Sequence, residues 1–346
     1  MADSDHESPP RAHWELVDLF CGGGLFSFGA RFAGMRVGEA VDCCADALSV
    51  YKLNFDARIS CATLGPGRTD FTFPEPHARL HVHLSPPCQE LSNAKSGVRS
   101  NCGVEMLKWS VEAGSKYDSF SVETVFTGQT QAIAKELAAA QPDRVAFGVY
   151  DSQNFSTPQT RVRLIISTPQ IIRCMNEAPA SAHVSVEEAF RAAGVPIPAG
   201  ATHLKNSSPI TDGTKIRPIQ GASFTCCASR ALSWCSKSAT TIKSMVPADT
   251  RVLMGCSSLK LSGKQRIDQR VLGNGVCFGL ARAVALAAMG KPILPLIALT
   301  HTHPEAPRKR PPDSGTEERC FCDELETRLM RVERRLSQLK KRSRSA

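Results

Sequence analysis

Pro86-Pro87-Cys88 sets a cysteine directly behind two prolines, after the apolar run RLHVHLS and before a polar stretch. Proline fixes φ and removes a backbone donor, so the pair stiffens the approach to the thiol. Taken alone, a free cysteine reads as a buried, inert thiol. On a rigid loop at a strand end it also reads as a nucleophile, competent only as its thiolate. Other clusters could supply partners. VDLFCGGGLFSFG (residues 17–29) puts an acid, an aromatic and three glycines between a strand and a helix. Glycine there lets a ligand approach the backbone, and the helix N-terminus offers free N–H groups. Asp42 ends the next strand, where nucleotide folds receive ribose hydroxyls. Glu123 lies in SVETV, Arg161 and Arg163 in QTRVR, and Asn274-Gly275 in LGNGV. Each has a plainer alternative: an exposed turn acid for Asp42, a solvated strand face for the arginines, a cap or turn for Asn274-Gly275.

Such groups need a scaffold that gathers them. From Trp14 the runs WELVDLF, RVGEAVD, RLHVHLS, FSVETV, RVAFGVYDS and RVRLIIST read as strands. They alternate with the helical patterns ADALSVYKLNF and ETVFTGQTQAIAKELAAAQ. That alternation predicts an α/β fold, a mostly parallel sheet with helices on both faces. Residues 1–13 read as a disordered N-terminus and 14–168 as the main domain. Residues 169–250, rich in Pro, Gly, Ser and Thr, read as a small irregular lobe that includes a strand-like SFTCCA. Residues 251–291 return to the main domain through the apolar helix GVCFGLARAVALAAMG. Residues 292–320 form a linker, and 321–346 a basic helical tail. In the tail Leu325, Leu329, Val332, Leu336 and Leu339 make a heptad seam of barely two repeats.

The 346 residues, 42% hydrophobic and 22% charged, suit one large core with a small second lobe. No apolar run spans a bilayer, and the acidic, polar N-terminus is no secretory signal. The fourteen cysteines are scattered, which reads as reduced thiols in a nuclear or cytoplasmic setting. Of the net charge of +9, the tail from Arg308 carries a surplus of five and the body four. A mildly basic body allows a polyanionic partner without demanding one. His301, His303, Cys320 and Cys322 lack the spacing of two chelating units, so no metal is expected. The tail could dimerise weakly or touch nucleic acid.

The ordered series DLFCGGG, PPCQELS, VETV, STPQTRVR and LGNGV, spread over residues 16–290, closely resembles the motif series of the cytosine-5 DNA methyltransferases. The resemblance implies a Rossmann-like, S-adenosylmethionine-dependent methyltransferase sheet with a small target-recognition lobe. It implies methyl transfer from S-adenosylmethionine to C5 of a DNA cytosine that is flipped out or already unpaired. Cys88 would add to C6, making C5 nucleophilic. Glu123 would hydrogen-bond or protonate N3, Arg163 would hold the base, and Arg161 would support the Cys88 loop or a phosphate. Phe20 would stack on adenine, with Gly22, Gly24, Leu25 and Pro87 also around the cofactor. Asp42 would bind the ribose, and Asn274 and Gly275 would close the site. The base that removes the C5 proton is not identified; water is one candidate.

The chain departs from the family pattern at three places. Thr124 stands where the family has an asparagine that braces the Pro-Cys loop. Cys43 follows the ribose acid in place of a bulky residue, and Cys61 and Thr63 replace the acid expected near the adenine amino group. The lobe is short, which implies a short target sequence. Two alternatives stay open: an RNA (tRNA) cytosine-5 methyltransferase on the same fold, and a catalytically inactive nucleic-acid-binding homologue.

Overall fold

The structure, a computed structural model, describes residues 13–88, 91, 102–179, 181–207 and 214–294. The expected disordered N-terminus (apart from His13), the polar stretch after Cys88, most of the linker, the His/Cys cluster of 301–322 and the basic tail lie outside the described residues.

Seven strands form the main sheet: β1 (Glu15–Leu19), β2 (Arg36–Asp42), β3 (Arg58–Cys61), β4 (Leu80–Leu84), β5 (Phe120–Val125), β6 (Ala146–Asp151) and β7 (Val162–Ser167). Their order is β3-β2-β1-β4-β5-β7-β6, and β7 alone runs antiparallel to its neighbours. β4 is buried along its whole length, as a central parallel strand covered on both faces must be. Helices α1 (Leu25–Ala33), α2 (Ala45–Lys52), α3 (Cys102–Gly114) and α4 (Gly128–Ala140) connect the strands. A capping box starts α4: Thr127 accepts from the Thr130 N–H, and the Thr130 side chain returns a bond to the Thr127 N–H. The sheet and its crossovers are those the αβ alternation predicts. Two elements were absent from that reading. β3 is a four-residue edge strand with no buried residue, so it shows no alternation. α3 begins at Cys102, beyond the polar stretch that follows Cys88.

α5 (Pro169–Asn176), which the sequence reading counted with the lobe, packs on β6, β7 and the last helix. After α6 (Val186–Ala192) comes a second, antiparallel sheet: β8 (His203–Ser207), β9 (Thr214–Pro218), β10 (Ser233–Cys235) and β11 (Thr241–Ser244), in the order β11-β10-β8-β9. The lobe is therefore an ordered sheet rather than irregular chain. Its core is Trp234, fully buried, edge-on to Phe190 of α6 with centroids 4.9 Å apart. SFTCCA is not a strand. It lies along the loop before β7, held by Gln159 Oε1, which accepts the Cys226 N–H at 2.8 Å, and by Thr225, whose hydroxyl donates to the Thr160 carbonyl.

α7 (Pro247–Leu253), α8 (Gln265–Asn274) and α9 (Phe278–Ala288) bring the chain back. α9 lies tightly against α1. A Cβ on Gly29 would sit 2.6 Å from the Ala281 Cβ and 2.8 Å from the Arg282 nitrogen, so glycine sets this approach. The contact delivers the α8–α9 corner to the carboxyl end of β1. Among the described residues no single helix is long and apolar enough to cross a bilayer.

Candidate active site

In open α/β sheets ligands settle outside the carboxyl ends of the strands. Here a cavity of about 300 Å³ opens beyond β1, β2, β4 and β5. Nine of the sequence-predicted residues line it: Phe20, Gly22, Leu25, Asp42, Pro87, Cys88, Glu123, Asn274 and Gly275. They come from five separate stretches of chain. Gly24 does not line it. Gly24 caps α1 with φ +85°, and a Cβ there would meet Tyr51 and Phe55, so its task is the turn itself. Phe20, a non-glycine, holds φ +57° at the end of β1, a strained conformation of the kind functional sites carry.

Asp42 has both carboxylate oxygens engaged by backbone: Oδ2 accepts from Gly22 N–H at 2.9 Å and Oδ1 from Cys44 N–H at 2.8 Å. Those bonds tie the glycine turn to the end of β2 and leave each oxygen further lone pairs facing the cavity. Asp18, which was not among the predicted site residues, also lines the cavity. Its Oδ2 accepts from the Ser27 hydroxyl at 2.5 Å, while buried Oδ1 has no partner. Burial pushes its carboxyl up to about 7, against the opposing pull of Ser27. Ser85 and Arg270 are lining residues also missed. For Asp18 and Ser85 the signal was present: a polar residue one position before, or one beyond, the carboxyl end of a strand.

Glu123 and Arg163 form a buried ion pair, Nε to Oε1 at 2.7 Å, at the end of β5 beside Cys88. The Cys88 thiol is pushed up, first by burial and then by the Glu123 charge, while Arg163 and Arg161 pull it down. Arg163 is not a lining residue; its guanidinium reaches the site through Glu123.

Arg161 sits elsewhere than the sequence reading placed it. It is 2% exposed, and its guanidinium donates to the carbonyls of Cys226 (2.9 Å), Gly273 (3.0 Å) and Gly275 (2.9 Å). Phosphate cannot reach a group so enclosed, and among the described residues its bonds go to the SFTCCA segment and the return segment. Arg161 clamps the LGNGV corner to the SFTCCA segment, and so holds one wall of the cavity.

Thr124 is 1% exposed and its hydroxyl has no hydrogen-bond partner. An unpaired buried hydroxyl contributes nothing and costs its desolvation. Thr124→Val, which keeps the shape, is therefore expected to leave the melting temperature unchanged or raise it; a clear fall would show that the hydroxyl is bonded in solution. Among the described residues no three His, Cys, Asp or Glu side chains gather as metal ligands would.

No family model matches the chain, and no curated protein sequence does. Solved structures do. A putative DNA modification methyltransferase encoded within an E. coli prophage superposes with a TM-score of 0.55 at 14% identity, covering 80% of this chain and 99% of its own. The Dnmt2 methyltransferase of S. pombe gives 0.55 at 12% identity over 80% and 99%. The Entamoeba histolytica methyltransferase EhMeth gives 0.52 at 11% over 81% and 99%. With its seven-stranded sheet and reversed seventh strand, the chain has the fold of these methyltransferases.

Proposed function

We propose that the chain is a DNA cytosine-5 methyltransferase that uses S-adenosylmethionine. The observation that carries this is the meeting, in one cavity wall, of a cysteine held by two prolines and a carboxylate paired with an arginine.

The residues present fit the cofactor. Asp18 offers an unpartnered buried carboxylate oxygen, suited to an ammonium or sulfonium cation. Asp42 offers acceptors suited to ribose hydroxyls, and Phe20 an aromatic face suited to adenine. The cavity volume is at the lower end of small-molecule sites. When bound, S-adenosylmethionine supplies an electrophilic methyl group.

The chain's own residues supply the rest. Cytosine C5 is a weak nucleophile until a thiolate adds to C6. Cys88 forms that C6–S bond, and its thiol proton ends on N3 of the base by way of Glu123. Arg163 fixes the Glu123 carboxylate in place. C5, now enamine-like, takes the methyl group; loss of the C5 proton then restores the C5–C6 double bond and expels Cys88 as thiolate, and the N3 proton returns to Cys88 by way of Glu123. The double proline matters because small errors in the reacting geometry cost large factors in rate. The short lobe supports a target of one or a few bases.

Covalent trapping tests this. With S-adenosylmethionine and a duplex containing 5-fluorocytosine, the protein is expected to form an adduct that survives denaturing electrophoresis, and Cys88→Ala to form none. An adduct with 5-fluorocytidine RNA alone would reassign the polynucleotide. No adduct with either would make the chain a nucleic-acid binder without catalysis.

A further inference from the structure

β4 carries His81 and His83 two residues apart, and β5 carries Ser121 between the flanking Ser119 and Glu123. The period of a strand puts both histidines on one face, and the parallel register sets His83 against Ser121. The side chains join in one line. Ser119 Oγ lies 2.8 Å from His81 Nδ1; His81 Nε2 lies 3.0 Å from Ser121 Oγ; Ser121 Oγ lies 2.8 Å from His83 Nδ1; His83 Nε2 lies 2.8 Å from Ser85 Oγ. Both imidazoles are fully buried, and Phe26 of α1 stacks on His83 with ring planes 1° apart. Ser85 lines the cavity two residues before Pro87. Ser119, 7% exposed, lies at the other end beside Asp118, whose side chain is 84% exposed.

We propose that this Ser85–His83–Ser121–His81–Ser119 line is a proton relay that carries the cytosine C5 proton from the cavity to solvent. The proposal rests on the reading above that the site forms and resolves a Cys88 adduct.

The chemistry of the line supports it. A neutral imidazole has one donor and one acceptor nitrogen, and a hydroxyl can do both. All four bonds are satisfied when every hydrogen points the same way along the chain, in either of two senses, because each imidazole and Ser121 can donate on one side and accept on the other. Moving one proton in at Ser85 and one out at Ser119 switches the sense. In the elimination step the C5–H bond breaks, its electron pair re-forms C5=C6, and the C6–S bond breaks to release the Cys88 thiolate. The proton goes to Ser85 Oγ as the Ser85 proton passes to His83 Nε2. Each later link hands on one proton, and Ser119 releases one to water. Burial pushes both rings far below the usual imidazole range, His81 to about 3, so neither stores a proton at neutral pH. A relay needs groups that pass a proton without keeping it. Apolar side chains would fill this core with less desolvation cost, and a chain of buried polar groups that ends in a ligand cavity is a local rule broken where function sits.

The test separates elimination from addition. 5-Fluorocytosine traps the methylated adduct because no C5 proton can leave, so trapping does not need the relay. His81→Gln keeps a donor and an acceptor but passes no proton, and its site is three links from Ser85. It is expected to trap 5-fluorocytosine DNA within about twofold of the parent rate, while turnover on ordinary cytosine falls at least about tenfold. Covalent complex should then accumulate on ordinary cytosine. His81→Phe, which preserves ring volume, should behave alike and guards against a folding defect in the glutamine variant. Equal slowing of trapping and turnover would make the histidines positioning residues and overturn the relay. Unchanged turnover would overturn it too, in favour of proton loss to cavity water. Absence of any adduct in the unsubstituted protein, on DNA and on RNA, would instead bring down the functional reading beneath it.

Discussion

Glu123→Gln is expected to slow methyl transfer by about 10²–10⁴-fold while speeding alkylation of Cys88 in the free protein. The two effects have opposite signs because Glu123 acts on two different atoms. In the proposed reaction it carries the proton to N3, and an amide cannot. In the resting protein its negative charge beside Cys88 disfavours the thiolate and helps to push the thiol up. Removing that charge also frees Arg163 from its ion pair, so its pull on the thiol strengthens. Each unit by which the thiol falls gives roughly tenfold more thiolate at a pH well below its value. Iodoacetamide labelling at pH 7, read by mass spectrometry of the Cys88 peptide, measures this directly. In the unsubstituted protein the raised thiol gives the sign of the pH dependence. Alkylation and trapping should both be slow near pH 7 and keep rising through pH 9, because the reactive thiolate is the minor form across that range. Slower labelling in Glu123→Gln would mean that the carboxylate and thiol do not face each other.

Arg161→Met is expected to cost roughly 3–5 kcal/mol of stability, a large share of what a domain possesses. The methionine fills most of the volume but abandons three carbonyls, those of Cys226 and Gly273, whose bonds are buried, and that of Gly275, whose bond is partly buried. Those carbonyls lie 65, 112 and 114 residues away along the chain. Loss of the clamp should therefore also loosen the LGNGV corner and weaken cofactor binding. Arg161→Lys should rescue little, because a single ammonium lacks the planar fork that reaches three acceptors. Thermal melting and titration with S-adenosylhomocysteine check the two halves. Full stability in Arg161→Met would place these carbonyl bonds outside the native ensemble in solution.

Much of the molecule was legible beforehand. Six of the seven main strands could be read because a buried strand announces itself locally, as an apolar run bounded by turn residues. Asp42 was found for the same reason, as the acid that ends such a run, whereas Glu123, two residues before the end of β5, was found through the motif series the chain resembles. β3 escaped because a half-exposed edge strand has no hydrophobic signature. The lobe escaped because Pro, Gly and Ser between short strands look like loop, whereas packing of Phe190 on Trp234 gives the small sheet its core. SFTCCA misled through its β-prone composition; its backbone is held by Gln159 and Thr225 instead of a ladder.

The order of motifs determined the fold and the identity of the chemical groups, because strand ends, glycine turns and a proline-fixed cysteine are written in neighbouring residues. Tertiary structure alone decided which arginine pairs with Glu123 and which holds the cavity wall, that Thr124 is unpartnered, and that two histidines and three serines form one line. Those are facts about pairs of residues from different strands and helices. Hydrogen bonds and charges act over a few ångströms in space, and only the fold makes residues distant in sequence neighbours at that range.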